Sequence, residues 1–328
     1  MSGRQDFPNA AHPIELEAPD ISRWASSPTG VSYVHERVAS QEGPQVLITA
    51  LVHGNEYSGA IALDAFLSSG VLPRAGRITA IFCNVAAFAR FDARRPDASR
   101  FVDEDFNRIW SAPVLDGPTT TAERMRAQQV KPYVQRATHL LDLHSMHESA
   151  PPLLVTGLLP RNIAFAQSLQ LPAQAIIDSG HSDGVRLRDH GLFADPAGQR
   201  IALLLEAGQH WQASSLQVAR NALMRFLVAT GSLPRSDVPT GWLQADAPPP
   251  PPVQVTHRVV AQSMNFAFTQ AFAGGEVIAH AGTVIAHDAG QPVVTPYDHC
   301  VLVMPSVRQL RVGVTTVRLG RLFHDAVE

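Results

Sequence analysis

The chain predicts an α/β fold: a mixed, largely parallel sheet flanked by helices, followed by a small C-terminal all-β domain. Three features carry this. Apolar runs of strand length alternate with helix-length amphipathic segments up to about residue 230, five consecutive prolines (Pro248 to Pro252) then break the pattern, and short β-branched runs between turn residues fill the rest. In order, strands are expected at Val46–Val52, Arg77–Val85, His139–Leu143, Pro152–Thr156, Ala173–Ile177 and Ile201–Leu205. Each is bounded by turn residues and rich in Val, Ile or Leu on both faces, as sheets covered on two sides require. Helices are expected at Ser58–Ser69, Thr120–Ala137, Arg161–Leu169 and Trp211–Thr230, where apolar residues recur on one face. Between Phe88 and Pro118 the alternation lapses into a long segment rich in Arg, Asp and Pro, of a length usually tied to function or disorder.

A proline run has no amide donors and favours an extended conformation, so Gly231 to Pro252 reads as a boundary. The expected organisation is a catalytic α/β domain over 1–235, a Pro-rich linker over 236–252 and a β domain over 253–328. Within the last, Glu276–Ala279, Thr283–Ala286, Gln291–Thr295 and Cys300–Met304 read as short strands.

Composition narrows the function. Of 328 residues, 45% are hydrophobic and 17% charged, with a net charge of -3, which gives no field to attract nucleic acid or anionic lipid. No apolar run reaches the roughly 18 residues of a membrane span, and the first ten residues lack a secretory apolar region, so a cytoplasmic protein is expected. Cys83 and Cys300 are too few for a disulfide framework or a cysteine-based zinc site, leaving His, Asp or Glu to hold any metal.

The expected first strand runs directly into His53-Gly54-Asn55-Glu56, an imidazole and a carboxylate three residues apart across a turn. Ligands bind at the carboxyl ends of strands in such sheets. Another strand ends in Asp142-Leu143-His144-Ser145, and parallel neighbours would bring His144 to the same edge as His53 and Glu56. Three N and O ligands with an open position are the donor set of a catalytic zinc site, with Asp142 placed to orient an imidazole. His147 is the competing third ligand, less well placed because His144 sits at the strand end. Glu206 follows five apolar residues in Ile201–Leu205, where a carboxylate is costly unless paired or functional, and is the candidate general base. In the long polar segment, Arg108 beside Asn107 is suited to grip a carboxylate, and Arg100 to polarise a carbonyl.

In order and spacing, His53-Gly-Asn-Glu56, Asp105-Phe-Asn-Arg108, Asp142-Leu-His144 and Glu206-Ala-Gly208 resemble the succinylglutamate desuccinylase and aspartoacylase family, which is related to the zinc carboxypeptidases. The resemblance covers about residues 45–325. It implies one Zn²⁺ per chain on His53, Glu56 and His144, a substrate carboxylate on Asn107 and Arg108, carbonyl polarisation by Arg100 and base catalysis by Glu206 on a metal-activated water. It further implies a tyrosine supplied by the β domain, best matched by Tyr297, and one more substrate-binding arginine for which Arg186, Arg188 and Arg200 compete. The implied activity is hydrolysis of the amide of an N-acyl amino acid; a homo-oligomer is compatible with the sequence but leaves no signature in it. Alternatives are a metallocarboxypeptidase acting on peptides and a non-catalytic zinc-binding module. A biotinyl or lipoyl carrier role for the β segment is excluded, since no lysine follows Lys131.

Overall fold

The computed structural model describes residues 12–181 and 183–323; the N-terminal residues read above for a secretory signal and the last five residues of the 253–328 segment lie outside them. Strands β1 (Val34–Val38), β2 (Gln41–Ala50), β3 (Ala75–Phe82), β4 (His139–Met146), β5 (Leu153–Val155), β6 (Gln174–Ile177) and β7 (Ile201–Gln209) belong to one sheet. Helices α1 (Ser58–Ser68), α2 (Val85–Phe88), α3 (Ala112–Leu115), α4 (Ala122–Arg136), α5 (Pro160–Ser168) and α6 (Ala213–Ala229) connect or cover them. The four long helices fall within two residues of their expected bounds. The expected strand to Val85 stops at Phe82, because the Asn84 side chain accepts from Ala87 N–H and starts α2. Strand β1, short and half-buried at the sheet edge, carried too little periodicity to be expected.

Strands β3, β2, β4 and β7 run parallel, and β5 lies antiparallel to β7 on its far side. Helices cover both faces. On one, α1 and α6 pack Leu63, Phe66, Leu223 and Phe226 against Val46, Ile48, Leu141 and Leu203. On the other, α4 seals Leu47, Leu140 and Ala202 with Ala127, Val130 and Val134. Adjacent residues of one strand thus enter different cores, which is why the runs are apolar throughout.

Beyond the proline run, β8 (Val253–Val260) pairs in parallel with β6, so the sheet continues through β8, β14 (Thr315–Leu322), β13 (Cys300–Val303) and β10 (Val277–Ile278) to eleven strands. A second, three-stranded sheet holds β9 (Ala267–Phe268), β11 (Val284–Asp288) and β12 (Gln291–Val294). Strands β8, β9 and β14 escaped the sequence reading, which named only the runs from Glu276 to Met304. No helix among the described residues is long and apolar enough to cross a membrane.

Candidate metal and catalytic site

The register of the parallel strands assembles the site. β2 ends at Ala50, Leu51 turns the chain with a left-handed φ of 59°, and the turn delivers His53 and Glu56 to the carboxyl edge of the sheet. Gly54 is required for packing: a Cβ there would sit 2.3 Å from Ser99 O, and Gly54 N–H donates to Arg100 O (3.0 Å). The turn after β2 is thereby pressed against the segment that carries Arg100. β4 pairs with β2 and β7, and His144 stands directly opposite Glu206 in that register. Two residues later, Gly208, with φ of 117°, takes up a bulge that lets β7 gain one residue on β4.

His53, Glu56 and His144, all buried, each offer a ligand atom, and these atoms lie within 4.8 Å of one another. His144 Nε2 is 2.9 Å from Asp142 Oδ2, and Thr49 Oγ–H donates to Asp142 Oδ1 (2.6 Å). Asp142 is therefore an acceptor for His144 Nε2–H, which turns the Nδ1 lone pair toward Glu56 Oε2 at 2.9 Å. His53 Nδ1 is 2.7 Å from Glu56 Oε1, and its Nε2 lies 3.0 Å from Asp105 Oδ1 and 2.9 Å from Arg100 Nη2. Lone pairs of nitrogen and carboxylate oxygen facing one another in a buried space need a shared proton or a cation. Their types and spacing fit Zn²⁺. Burial alone would raise the Glu56 carboxyl, but the two imidazoles outweigh it and hold it well below its ordinary range.

Glu206 behaves oppositely. Burial, reinforced by the Glu56 charge, pushes its carboxyl up to about 8, and its Oε2 has no hydrogen-bond partner among the described residues. Arg100 Nη1 donates to Glu56 Oε1 (3.0 Å), which places the guanidinium beside the ligand set.

Asn107 and Arg108 are held by the segment that precedes β7. Leu187 N–H donates to Asn107 Oδ1 (2.9 Å), and Val185 N–H to Arg108 O (3.1 Å). Gly184 allows this approach, since a Cβ there would meet Arg108 O at 2.2 Å. Arg108 Nε donates to Asp183, whose side chain is half exposed (3.2 Å). His53, Glu56, His144, Glu206, Arg100, Asn107 and Arg108 all line one cavity of about 170 Å³.

Tyr297 is not brought to that cavity. Its hydroxyl is 2.5 Å from Thr256 Oγ1 and its ring packs under Arg321, within the core formed by β13 and β14. Among the competing arginines, Arg186 lines the cavity. Arg188 is buried and spent on Thr156 O (2.7 Å) and Ala202 O (2.8 Å), and Arg200 donates to Gln135 O (2.5 Å). His147 lines the cavity without joining the ligand group; it pairs with His210 (3.1 Å).

Three features escaped sequence reasoning. Arg318 of β14 reaches the cavity from the C-terminal part of the sheet. Asp105 faces His53. Glu123, fully buried in the first turn of α4, accepts from the backbone N–H groups of Val102 (2.7 Å), Asp103 (3.1 Å) and Glu104 (3.3 Å) and from Asn84 Nδ2 (2.9 Å). It clamps the loop between Arg100 and Asp105. The one available signal was an acidic residue just after the Thr121 cap, which is ordinary at a helix start.

The carboxyl edge of the mixed sheet thus gathers two imidazoles and a carboxylate that could hold a metal ion, beside a second, proton-holding carboxylate. The model of the succinylglutamate desuccinylase/aspartoacylase catalytic domain matches residues 42–228, more than half of the chain, and the chain belongs to that family. Solved structures agree on the fold. The succinylglutamate desuccinylase/aspartoacylase of Rhodobacter sphaeroides is 19% identical with a TM-score of 0.63, covering 87% of each chain. The succinylglutamate desuccinylase of Vibrio parahaemolyticus is 18% identical (TM-score 0.60), covering 88% of this chain and 86% of that one. Murine aminoacylase 3 is 16% identical (TM-score 0.59), covering 87% and 97%. No individually curated protein sequence matches the chain.

Proposed function

We propose that the protein is a zinc-dependent hydrolase that cleaves the amide bond of an N-acyl amino acid. The observation that carries this is the meeting, in one cavity, of the His53–Glu56–His144 donor set with a Glu206 carboxyl oxygen that has no hydrogen-bond partner among the described residues. Zn²⁺ on those three residues would lower the pKa of a water toward neutrality and polarise a carbonyl. The chain's own residues supply the rest. Arg108 and Asn107 hold the substrate carboxylate, the exposed Asp183 giving way as a weak surface partner does. Arg100 donates to the amide carbonyl as negative charge develops on its oxygen. Glu206 takes a proton from the attacking water as its oxygen bonds the carbonyl carbon. It then delivers that proton to the amine nitrogen as the C–N bond breaks, giving a carboxylic acid and a free amino acid. Burial leaves Glu206 with a raised proton affinity, and a cation on the neighbouring ligands would lower it again, which suits a group that must both accept and release a proton near neutral pH.

The test is incubation of zinc-reconstituted protein with N-acetyl, N-formyl and N-succinyl amino acids, following release of primary amine, with a chelator-treated control. Chelator-sensitive release from at least one member is expected. No release from any member, with zinc bound stoichiometrically, overturns the proposal.

A further inference from the structure

The face of the sheet that carries His144 and Glu206 does not stay polar. Leu204 lies two residues before Glu206 and so shares its face. Across the antiparallel pair, Leu153 stands opposite Glu206 and Val155 opposite Leu204; across the next, Ile176 stands opposite Val155. Register partners project to the same side, so these residues continue one surface away from the reacting groups. Met146 and Val303 join it. All six line the cavity, all six are buried, and all belong to one apolar cluster.

Many of the charges beyond this floor are paired, while Arg186 Nη2 has no hydrogen-bond partner and Arg311 lines the cavity without an ion pair among the described residues. Asp178 lies between Arg186 (3.4 Å) and Arg318 (3.3 Å), Asp189 accepts from Arg186 Nε (2.6 Å), and Asp183 accepts from Arg108 Nε (3.2 Å). Asp189 is shared with Arg188, so the arginines outnumber the aspartates here. The pairs on Asp178 are buried, where removing one partner is costly. Only the Arg108 pair has an acid that is half exposed and easily displaced. A carboxylate can therefore be taken up at Arg108, whereas a charged group laid on the six apolar floor residues would lose its hydration without gaining a partner there.

We infer that the substrate carries, besides the carboxylate held at Arg108, a bulky apolar group, aliphatic or aromatic, that rests on the Leu153–Val155–Ile176–Leu204 floor. This rests on the N-acyl amino acid reading and narrows it. The apolar group belongs either to the acyl part or to the amino acid side chain, and the assay separates these.

Zinc-loaded full-length protein is given N-acetylglycine as reference, N-acetyl-leucine and N-acetyl-phenylalanine, N-hexanoylglycine, and the doubly charged N-acetylaspartate and N-succinylglutamate. At roughly fourfold per buried methylene, one apolar arm should exceed N-acetylglycine in kcat/KM by about 10- to 100-fold, with both doubly charged compounds below that arm. The arm that rises identifies which half of the substrate lies on the floor. Hydrolysis without an apolar preference, or fastest with a doubly charged compound, overturns the inference while leaving the deacylase reading intact. If nothing is hydrolysed, the deacylase reading fails, and calorimetric titration of the same compounds into zinc-loaded Glu206→Gln protein decides the inference by the ratio of dissociation constants: a preference for an apolar arm supports it and equal values overturn it. Val155→Thr, which keeps the shape and adds a hydroxyl to the floor, should cut the apolar-to-acetylglycine ratio about fivefold; an unchanged ratio also counts against it.

Discussion

Glu206→Gln separates the two things this residue does to the protein. In the metal-free fold, burial pushes the carboxyl up to about 8 from an ordinary 4.5. Between those pH values the native state keeps a proton that the unfolded chain has lost, so the stability of the metal-free protein falls as the pH rises through that window and levels off above it. Fully ionised, such a carboxyl would weaken the fold by up to ~5 kcal/mol; its opening onto the cavity admits screening, which brings the figure to roughly 2 kcal/mol. Glutamine carries no charge at any pH. Urea titration of chelated protein should therefore show Glu206→Gln more stable than the parent by roughly 2 kcal/mol at pH 8.5 and nearly equal to it at pH 5. With zinc restored, the same variant should keep its metal and lose about 10²- to 10⁴-fold in kcat. A stability difference that does not change with pH would refute the buried-carboxyl argument, and undiminished turnover would remove Glu206 as the base.

The other predictions concern the supports of the site. Glu123→Ala leaves three backbone N–H groups and Asn84 Nδ2 without their acceptor, and should cost roughly 2–4 kcal/mol in urea titration while raising KM more than it lowers kcat, because the loop leading to Asn107 and Arg108 loosens. Gly54→Ala forces a methyl group into Ser99 O and should lower zinc stoichiometry, read by elemental analysis after dialysis, through displacement of His53. Arg108→Ala should raise KM about 10- to 100-fold for N-acyl amino acids and leave hydrolysis of the corresponding N-acyl amines, which lack the carboxylate, little changed.

Much of this architecture is legible in the sequence because the site lies where local patterns end. His53, Glu56, His144 and Glu206 each follow an apolar run, and parallel pairing of β2, β4 and β7 converts sequence position into a common edge. Residues whose placement depends on long-range packing were not legible. Arg186, Arg188 and Arg200 look alike in sequence; only the fold shows that Arg188 is consumed by carbonyls of Thr156 and Ala202 while Arg186 faces the cavity. Tyr297 depends on long-range packing in the same way: its β segment lays the ring under Arg321, outside the cavity, and β14 sends Arg318 into it. Glu123 has no pattern to betray it, since its partners are the backbone N–H groups of Val102, Asp103 and Glu104 and the Asn84 amide, all distant in sequence.

The apolar floor links two properties that the sequence presents separately. Leu153 sits beside Glu206 only because β5 runs antiparallel to β7, so its first residue meets the strand end where the parallel neighbours place their polar groups. That contact removes water from one side of the carboxyl and is part of what raises its proton affinity, while the same surface offers a charged substrate group no partner. Leu153→Asn should therefore act on both. A polar neighbour stabilises ionised Glu206, so the acid limb of the kcat/KM profile should move to lower pH by roughly half a unit to one unit. Selectivity for apolar over small substrates should fall together with it. A shifted limb with unchanged selectivity would mean that the floor tunes the base without touching substrate. Lost selectivity with an unmoved limb would mean that Glu206 owes its proton affinity to Glu56 and its own strand rather than to Leu153.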